Sequence, residues 1–212
     1  DEPILKKCVL IHNAIDVDKM KFDPAARQKI RSQLGWDDCY ILGNIGRLHF
    51  QKNQSFILDV FAELLQSKQE ARLVLVGQGE DEEMLKDKIS KLCIGDKVYM
   101  AGLQSNPGEW LSAFDLFFFP SLFEGLSVVA MEAQANGVPV LASKGVIPSE
   151  VVINKNFMLY DLKDGAEEWS RRILSMMELI KREEPVQIKK NFVAAGYEIN
   201  HEGNRLERLL VE

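Results

Sequence analysis

The chain has 212 residues, 46% of them hydrophobic and 27% charged, with a formal net charge of -6; that is enough apolar material for one sizeable core and too much for a disordered chain. The negative balance leaves no basic surface to neutralise a nucleic-acid backbone, so it argues against polymer binding by charge, and any anion must be held locally. Three cysteines, Cys8, Cys39 and Cys93, stand at unrelated spacings and read as reduced thiols of a cytoplasmic protein, neither a disulfide framework nor a zinc pattern.

No apolar run approaches the ~20 residues that a membrane helix needs, and no signal peptide opens the chain. Asp1-Glu2-Pro3 leads almost directly into an apolar stretch, which reads as a fragment of a longer protein. In chain order, short β-branched or aromatic runs alternate with longer amphipathic ones. That rhythm predicts an α/β fold with a doubly wound, Rossmann-like parallel sheet and helices on both faces. A linker remnant and first strand occupy 1–16, the strand itself 9–12. The main α/β domain occupies 17–165, with strands at 41–46, 73–77, 98–101, 116–119, 139–142 and 157–160. Helices are expected at 53–67, 81–92, 107–114 and 127–136, with Asn106 capping the third and Gly137 following the fourth. A helical tail, 166–212, brings Trp169, Ile173, Met176 and Leu179, then Phe192, Tyr197, Leu206, Leu209 and Leu210, onto the core.

In an open parallel sheet, ligands sit beyond the carboxyl ends of the strands, so chemistry is sought just after each one. After 41–46 come Gly46, Arg47 and, five residues on, Lys52 before Asn53. Two fixed cations beside a helix start suit a diphosphate, although alone they read as solvated surface charges. After 73–77, the run Val76-Gly77-Gln78-Gly79 lets a ligand or a neighbouring loop approach the backbone closely. Ala101-Gly102-Leu103 offers backbone groups to the edge of a base. The acidic run Glu80-Asp81-Glu82-Glu83 reads as the negative first turn of a helix.

The most informative segment joins a very apolar strand to a helix. In Phe123-Glu124-Gly125-Leu126-Ser127, Glu124 stands at the mouth of the crevice as an acceptor for sugar hydroxyls, and Gly125, Leu126 and Ser127 contribute helix N-terminal amides. Glu132 lies about two turns further along the helix. The plainer alternative is a capping acid followed by a solvated helix residue. Glu132, however, is flanked by Ala130, Met131 and Ala133, and an acid in so apolar a stretch should have a partner.

Gly46-Arg47, Lys52-Asn53, Leu75-Val76-Gly77-Gln78-Gly79, Gly102, Pro120-Ser121 and Glu124-x7-Glu132 stand in that order and spacing. The set resembles the C-terminal, donor-binding domain of retaining GT-B glycosyltransferases of the group 1 family, which includes bacterial capsular and exopolysaccharide transferases. Ile11-His-Asn-Ala-Ile-Asp16 resembles the family's linker from an N-terminal acceptor domain. The resemblance implies a UDP-sugar donor, and a missing N-terminal domain that completes the acceptor site. Arg47, Lys52 and Glu124 are then the catalytic set, the two cations neutralising the donor diphosphate as it leaves.

On the same footing, Glu124 with the amides of Gly125 and Leu126 holds the donor sugar and phosphate, Glu132 takes the ribose hydroxyls, and Leu103 lies near the base. Gly46, Gly77, Gly79, Gly102 and Ser127 complete the donor site, with no metal or other cofactor. The acceptor implied is a saccharide or lipid-linked saccharide, which places the full protein at the inner face of the cytoplasmic membrane and leaves the fragment alone inactive. Asn13-Ala14-Ile15-Asp16 departs from the usual Asn-Gly-Ile-Asp, and Ser143-Lys144-Gly145 from a paired glycine. Asp164-Gly-Ala-Glu-Glu-Trp169 resembles the subset that builds surface polysaccharides. Other readings stay open: a noncatalytic doubly wound module, or a GT-B nucleotide-sugar epimerase fragment. A phosphorylase would need a cofactor lysine in a longer chain, and a glycosidase a cleft between its two acids.

Overall fold

The computed structural model describes residue 9 and residues 11–211. Cys8 and the rest of residues 1–8 lie outside the described residues, as does Leu10 of the expected strand 9–12. Val9, Ile11 and His12 belong to no strand. Their segment runs to the tail instead. Ile15 N–H donates to Tyr197 O at 2.8 Å, Ile199 N–H donates to Ile15 O at 3.1 Å, and the His12 ring meets Tyr197 edge-on at 4.6 Å.

Two helices precede the sheet where none was expected: α1 (Val17–Met20) and α2 (Pro24–Leu34). The Asp23 carboxylate accepts from Ala25 N and Ala26 N, Pro24 fills the first helical position and Gly35 closes α2 in the left-handed region. Those end signals stand in the sequence; the helix between them is too polar for its hydrophobic period to stand out.

Six strands follow, β1 (Tyr40–Ile45), β2 (Ala71–Val76), β3 (Val98–Gly102), β4 (Leu116–Phe119), β5 (Val140–Ser143) and β6 (Phe157–Tyr160). All pairings are parallel, in the spatial order β3-β2-β1-β4-β5-β6. Between them run α3 (Gln54–Ser67), α4 (Glu82–Lys91), α5 (Pro107–Ala113) and α6 (Val128–Asn136), and after them α7 (Gly165–Leu179), α8 (Pro185–Ala195) and α9 (Ile199–Val211). The period of two along each strand divides the core. Ile41, Val74, Val76, Phe117 and Phe119 face α1, α2, α5, α6 and α8. Leu42, Leu73, Leu75, Leu116 and Phe118 face α3, α4 and α7.

Trp169 of α7 is fully buried beside Phe56, Phe118 and Tyr160, and its indole N–H donates to Asp161 O at 2.9 Å. Ile173, Met176, Phe192 and Tyr197 are buried as expected, but Leu179 at the end of α7 is exposed, and so are Leu206, Leu209 and Leu210 of α9, which leaves the core after its first turn with its apolar stripe uncovered. Among the described residues no helix is long and apolar enough to cross a membrane.

The amino-terminal edge of the sheet is locked by charge. The Asp115 carboxylate accepts from Arg27 at 2.5 Å, Arg31 at 3.0 Å and the Ile41 amide at 2.8 Å. The same arginines and Arg182 donate to the carbonyls of Leu111, Ser112, Ala113 and Phe114. Those are the carbonyls that the end of α5 leaves without intrahelical partners.

Candidate functional site

The strand order makes the chain wind outward in both directions from β1 and β4, so the loops that follow these two strands part and leave a crevice at the carboxyl edge. Loops 46–53 and 120–127 are stitched together. Leu122 N–H donates to Gln51 O at 2.8 Å, Gln51 Nε2 to Phe123 O at 2.9 Å, and Asn53 Nδ2 to Pro120 O at 3.1 Å. Asn53 takes φ 57, a left-handed conformation that asparagine tolerates better than most residues, and turns the single 3₁₀ turn Phe50–Lys52 into α3. Beneath them, buried Asn44 donates to Phe118 O at 2.9 Å and buried Gln54 to Arg47 O at 3.0 Å. Of these amides only Asn53 stood among the motifs read from the sequence. Asn44, polar inside the apolar run Tyr40–Ile45, was the signal.

The two expected cations do not stand together. Lys52 Nζ lies 2.6 Å from Glu124 Oε1, and the side chains are only 16% and 6% exposed. Lys52 also sits 5.2 Å from the centre of the Phe119 ring. Glu124, expected to stand open at the mouth, is therefore tucked under the loops as the partner of Lys52. Arg47 points elsewhere, forking onto Glu80 with Nε at 3.0 Å and Nη2 on the other oxygen; these side chains are 66% and 56% exposed. The backbone amide of Glu80 and the Arg47 guanidinium hold the Glu80 carboxyl below the usual range. Glu80, read as part of a helix's acidic first turn, precedes α4 and serves the loop instead.

At Gly77 and Gly79 a neighbouring loop lies against the backbone, whereas an added Cβ at Gly46 would only touch the Lys52 side chain at 3.4 Å. Gly77 has φ +135 and an added Cβ would lie 2.0 Å from Gly46 O; at Gly79 it would lie 2.2 Å from Leu48 O. Gly77 N–H donates to Gly102 O at 2.8 Å, so that carbonyl already accepts one hydrogen bond. Together Gly46, Arg47, Gly77, Gly79, Glu80 and the exposed Leu103 line a recess of about 880 Å³.

Glu132 lies in a second recess, of about 490 Å³, with Lys19, Lys21, Asn106 and Glu109. Arg47 and Glu132 thus share no recess. The partition is the loop between β3 and α5, with Gln104 on one side and Ser105 on the other. The expected partner of Glu132 is not found: among the described residues its carboxylate makes no hydrogen bond or ion pair, and partial burial pushes its pKa up. Asn106 stands at the N-cap position of α5 as expected, but its side chain makes no capping bond; its amide donates to Glu109 at 3.1 Å.

At the start of α6 the backbone amides receive no side-chain cap, which leaves the positive end of the helix dipole unspent. Gly125 and Leu126 are exposed, and an added Cβ at Gly125 would meet open space. The hydroxyls of Ser121 and Ser127 are buried and bond to none of the described residues.

A family model described as "Glycosyl transferases group 1" matches residues 26–192. The chain belongs to that family. Among curated members, an uncharacterized glycosyltransferase of Methanocaldococcus jannaschii is 31% identical over 139 residues, 65% of this chain and 34% of that protein. The N-acetylgalactosamine-N,N'-diacetylbacillosaminyl-diphospho-undecaprenol 4-alpha-N-acetylgalactosaminyltransferase of Campylobacter jejuni is 31% identical over 138 residues, 65% of this chain and 35% of that one. The chain thus spans about a third of the length of these curated relatives. Among solved structures, Anabaena HepE in complex with UDP superposes with a TM-score of 0.79 at 22% identity, covering 96% of this chain and 57% of that one. This likeness shows the fold and agrees with the α/β assignment made from the alternation of apolar and amphipathic runs, as the family match agrees with the resemblance read from the motif order.

Proposed function

We propose that this chain is the donor-binding domain of a retaining, metal-independent hexosyltransferase that moves a sugar from a UDP-hexose to a saccharide or lipid-linked acceptor in surface polysaccharide synthesis. The observation that carries the reading is the stitched pair of loops at the switch point, which puts a lysine, a carboxylate and an uncapped helix start in one crevice. A diphosphate laid there meets the α6 amides and the Lys52 and Arg47 cations, where negative charge grows as the bond from anomeric carbon to phosphate oxygen breaks. Glu124 accepts from sugar hydroxyls in place of part of its bond to Lys52. The nucleoside crosses the β3 to α5 loop past Leu103, so that its ribose reaches the unpaired Glu132 in the second recess. Anabaena HepE, whose solved complexes hold UDP, glucose and UDP-glucose, supports the choice of donor class by fold alone.

The acceptor site belongs to a further domain, for which the uncovered stripe of α9 is a seat. The fragment therefore binds UDP weakly and transfers nothing. The full-length protein works at the inner face of the cytoplasmic membrane, where lipid-linked acceptors are found. A calorimetric titration tests the reading. UDP binds the chain, EDTA leaves its affinity unchanged, and Arg47→Ala or Glu132→Ala each weakens it about tenfold or more, the loss of one charged contact. Absence of UDP binding overturns the donor assignment, and sugar transfer to a saccharide acceptor by the isolated chain disproves its inactivity.

A further inference from the structure

Both cations of the crevice already hold an acid, and the two pairs differ in kind. Lys52 and Glu124 are buried together, at 16% and 6% exposure, whereas Arg47 and Glu80 lie open to water at 66% and 56%. The open pair can part without uncovering any core. Arg47 commits Nε and Nη2 to Glu80, the planar fork of donors that also fits two phosphate oxygens. Glu80 itself lines the recess with Gly46, Gly77 and Gly79. It is therefore in position to occupy the guanidinium whenever an anion does not.

We propose that Glu80 is an affinity-setting residue of the donor site: its carboxylate competes with the nucleoside diphosphate for Arg47, must be displaced on binding, and reclaims the guanidinium when the diphosphate leaves. The inference rests on the reading of Arg47 as a diphosphate ligand. Its consequence is looser binding of both the donor and the spent diphosphate. A transferase whose turnover ends in diphosphate release gains from such a competitor.

The test uses this chain with UDP and with uridine, which lacks the anion. Glu80→Gln keeps the side chain's size and removes its charge. It tightens UDP about two- to fivefold, the range spanned by an exposed ion pair, and leaves uridine unchanged. Glu82→Gln is the control, because Glu82 lines the same recess but pairs with Lys86 at 2.9 Å. It removes equal charge and should move UDP by less than about half as much. In an Arg47→Ala background the gain from Glu80→Gln disappears. Unchanged or weakened UDP binding in Glu80→Gln overturns the proposal, as does an equal gain in Glu82→Gln, which would make the effect one of overall field. The two readings fail separately. If Arg47→Ala weakens UDP while Glu80→Gln does nothing, only the competitor falls; if Arg47→Ala leaves UDP unchanged, the diphosphate site at Arg47 falls and takes the competitor with it.

Discussion

The two edges of the sheet differ in how they hold Asp115 and Glu132. At the amino-terminal edge, Asp115 is saturated by two arginines and a strand amide, and the carbonyls at the end of α5 are filled by guanidinium groups. At the carboxyl edge, among the described residues, Glu132 is unpaired, the hydroxyls of Ser121 and Ser127 are unbonded, and α6 begins without a side-chain cap. Buried polar groups that are fully satisfied stabilise a fold, and those left short of partners mark where something else binds. The charge cluster with the most hydrogen bonds is thus the structural one, and the sparser edge is the one to which we assign the donor site.

Substitution sharpens that contrast. Asp115→Ala strands Arg27 and Arg31 against one another beside Arg182 and should cost about 3 kcal/mol, the low end for breaking a buried ion pair, read by urea denaturation; a loss under about 1 kcal/mol would erase the distinction between the edges. Glu124→Ala leaves Lys52 half-sheltered against Phe119 without its acid. About 2 kcal/mol of stability goes with it, together with UDP binding, so that this pair links the two roles.

Glu132→Gln is the smallest and has the opposite sign. Partial burial raises this carboxyl's pKa in the folded chain, so the fold binds the proton more tightly than the unfolded chain does. Stability is therefore undiminished below the ordinary carboxylate range and falls as pH rises through the raised value. The glutamine variant should melt about 1–2 °C higher than wild type at neutral pH, with the gap closing near pH 4, the ordinary range for glutamate, while its affinity for UDP drops. A variant that melts lower at neutral pH would mean that the carboxylate has a structural partner after all.

The sheet was legible in the sequence because its strands are short apolar runs broken by punctuated helices, and β4 and β6 fall on the expected residues, 116–119 and 157–160. The order of motifs also pointed to the family, since glycines, cations and acids recur after successive strands. Pairing was not legible. Which acid a cation meets depends on loop paths, and Glu124 and Glu80 lie 72 and 33 residues from Lys52 and Arg47. For the same reason the glycines could not declare whether a ligand or a neighbouring loop approaches them. The segment 9–12 looked like a strand by composition, but Ile15 found its partners in the tail, and no local pattern reports a contact nearly two hundred residues away.

The β1 to β4 pairing has a bearing on how the molecule assembles. Leu42 pairs with Leu73 across 73 − 42 = 31 residues of chain, but with Leu116 across 116 − 42 = 74. Closing the longer loop costs more chain entropy and is slower, so a chain emerging from the ribosome can form β1, β2 and β3 with their helices before β4 exists. The crevice between β1 and β4 is then a seam that cannot shut until β4 has emerged.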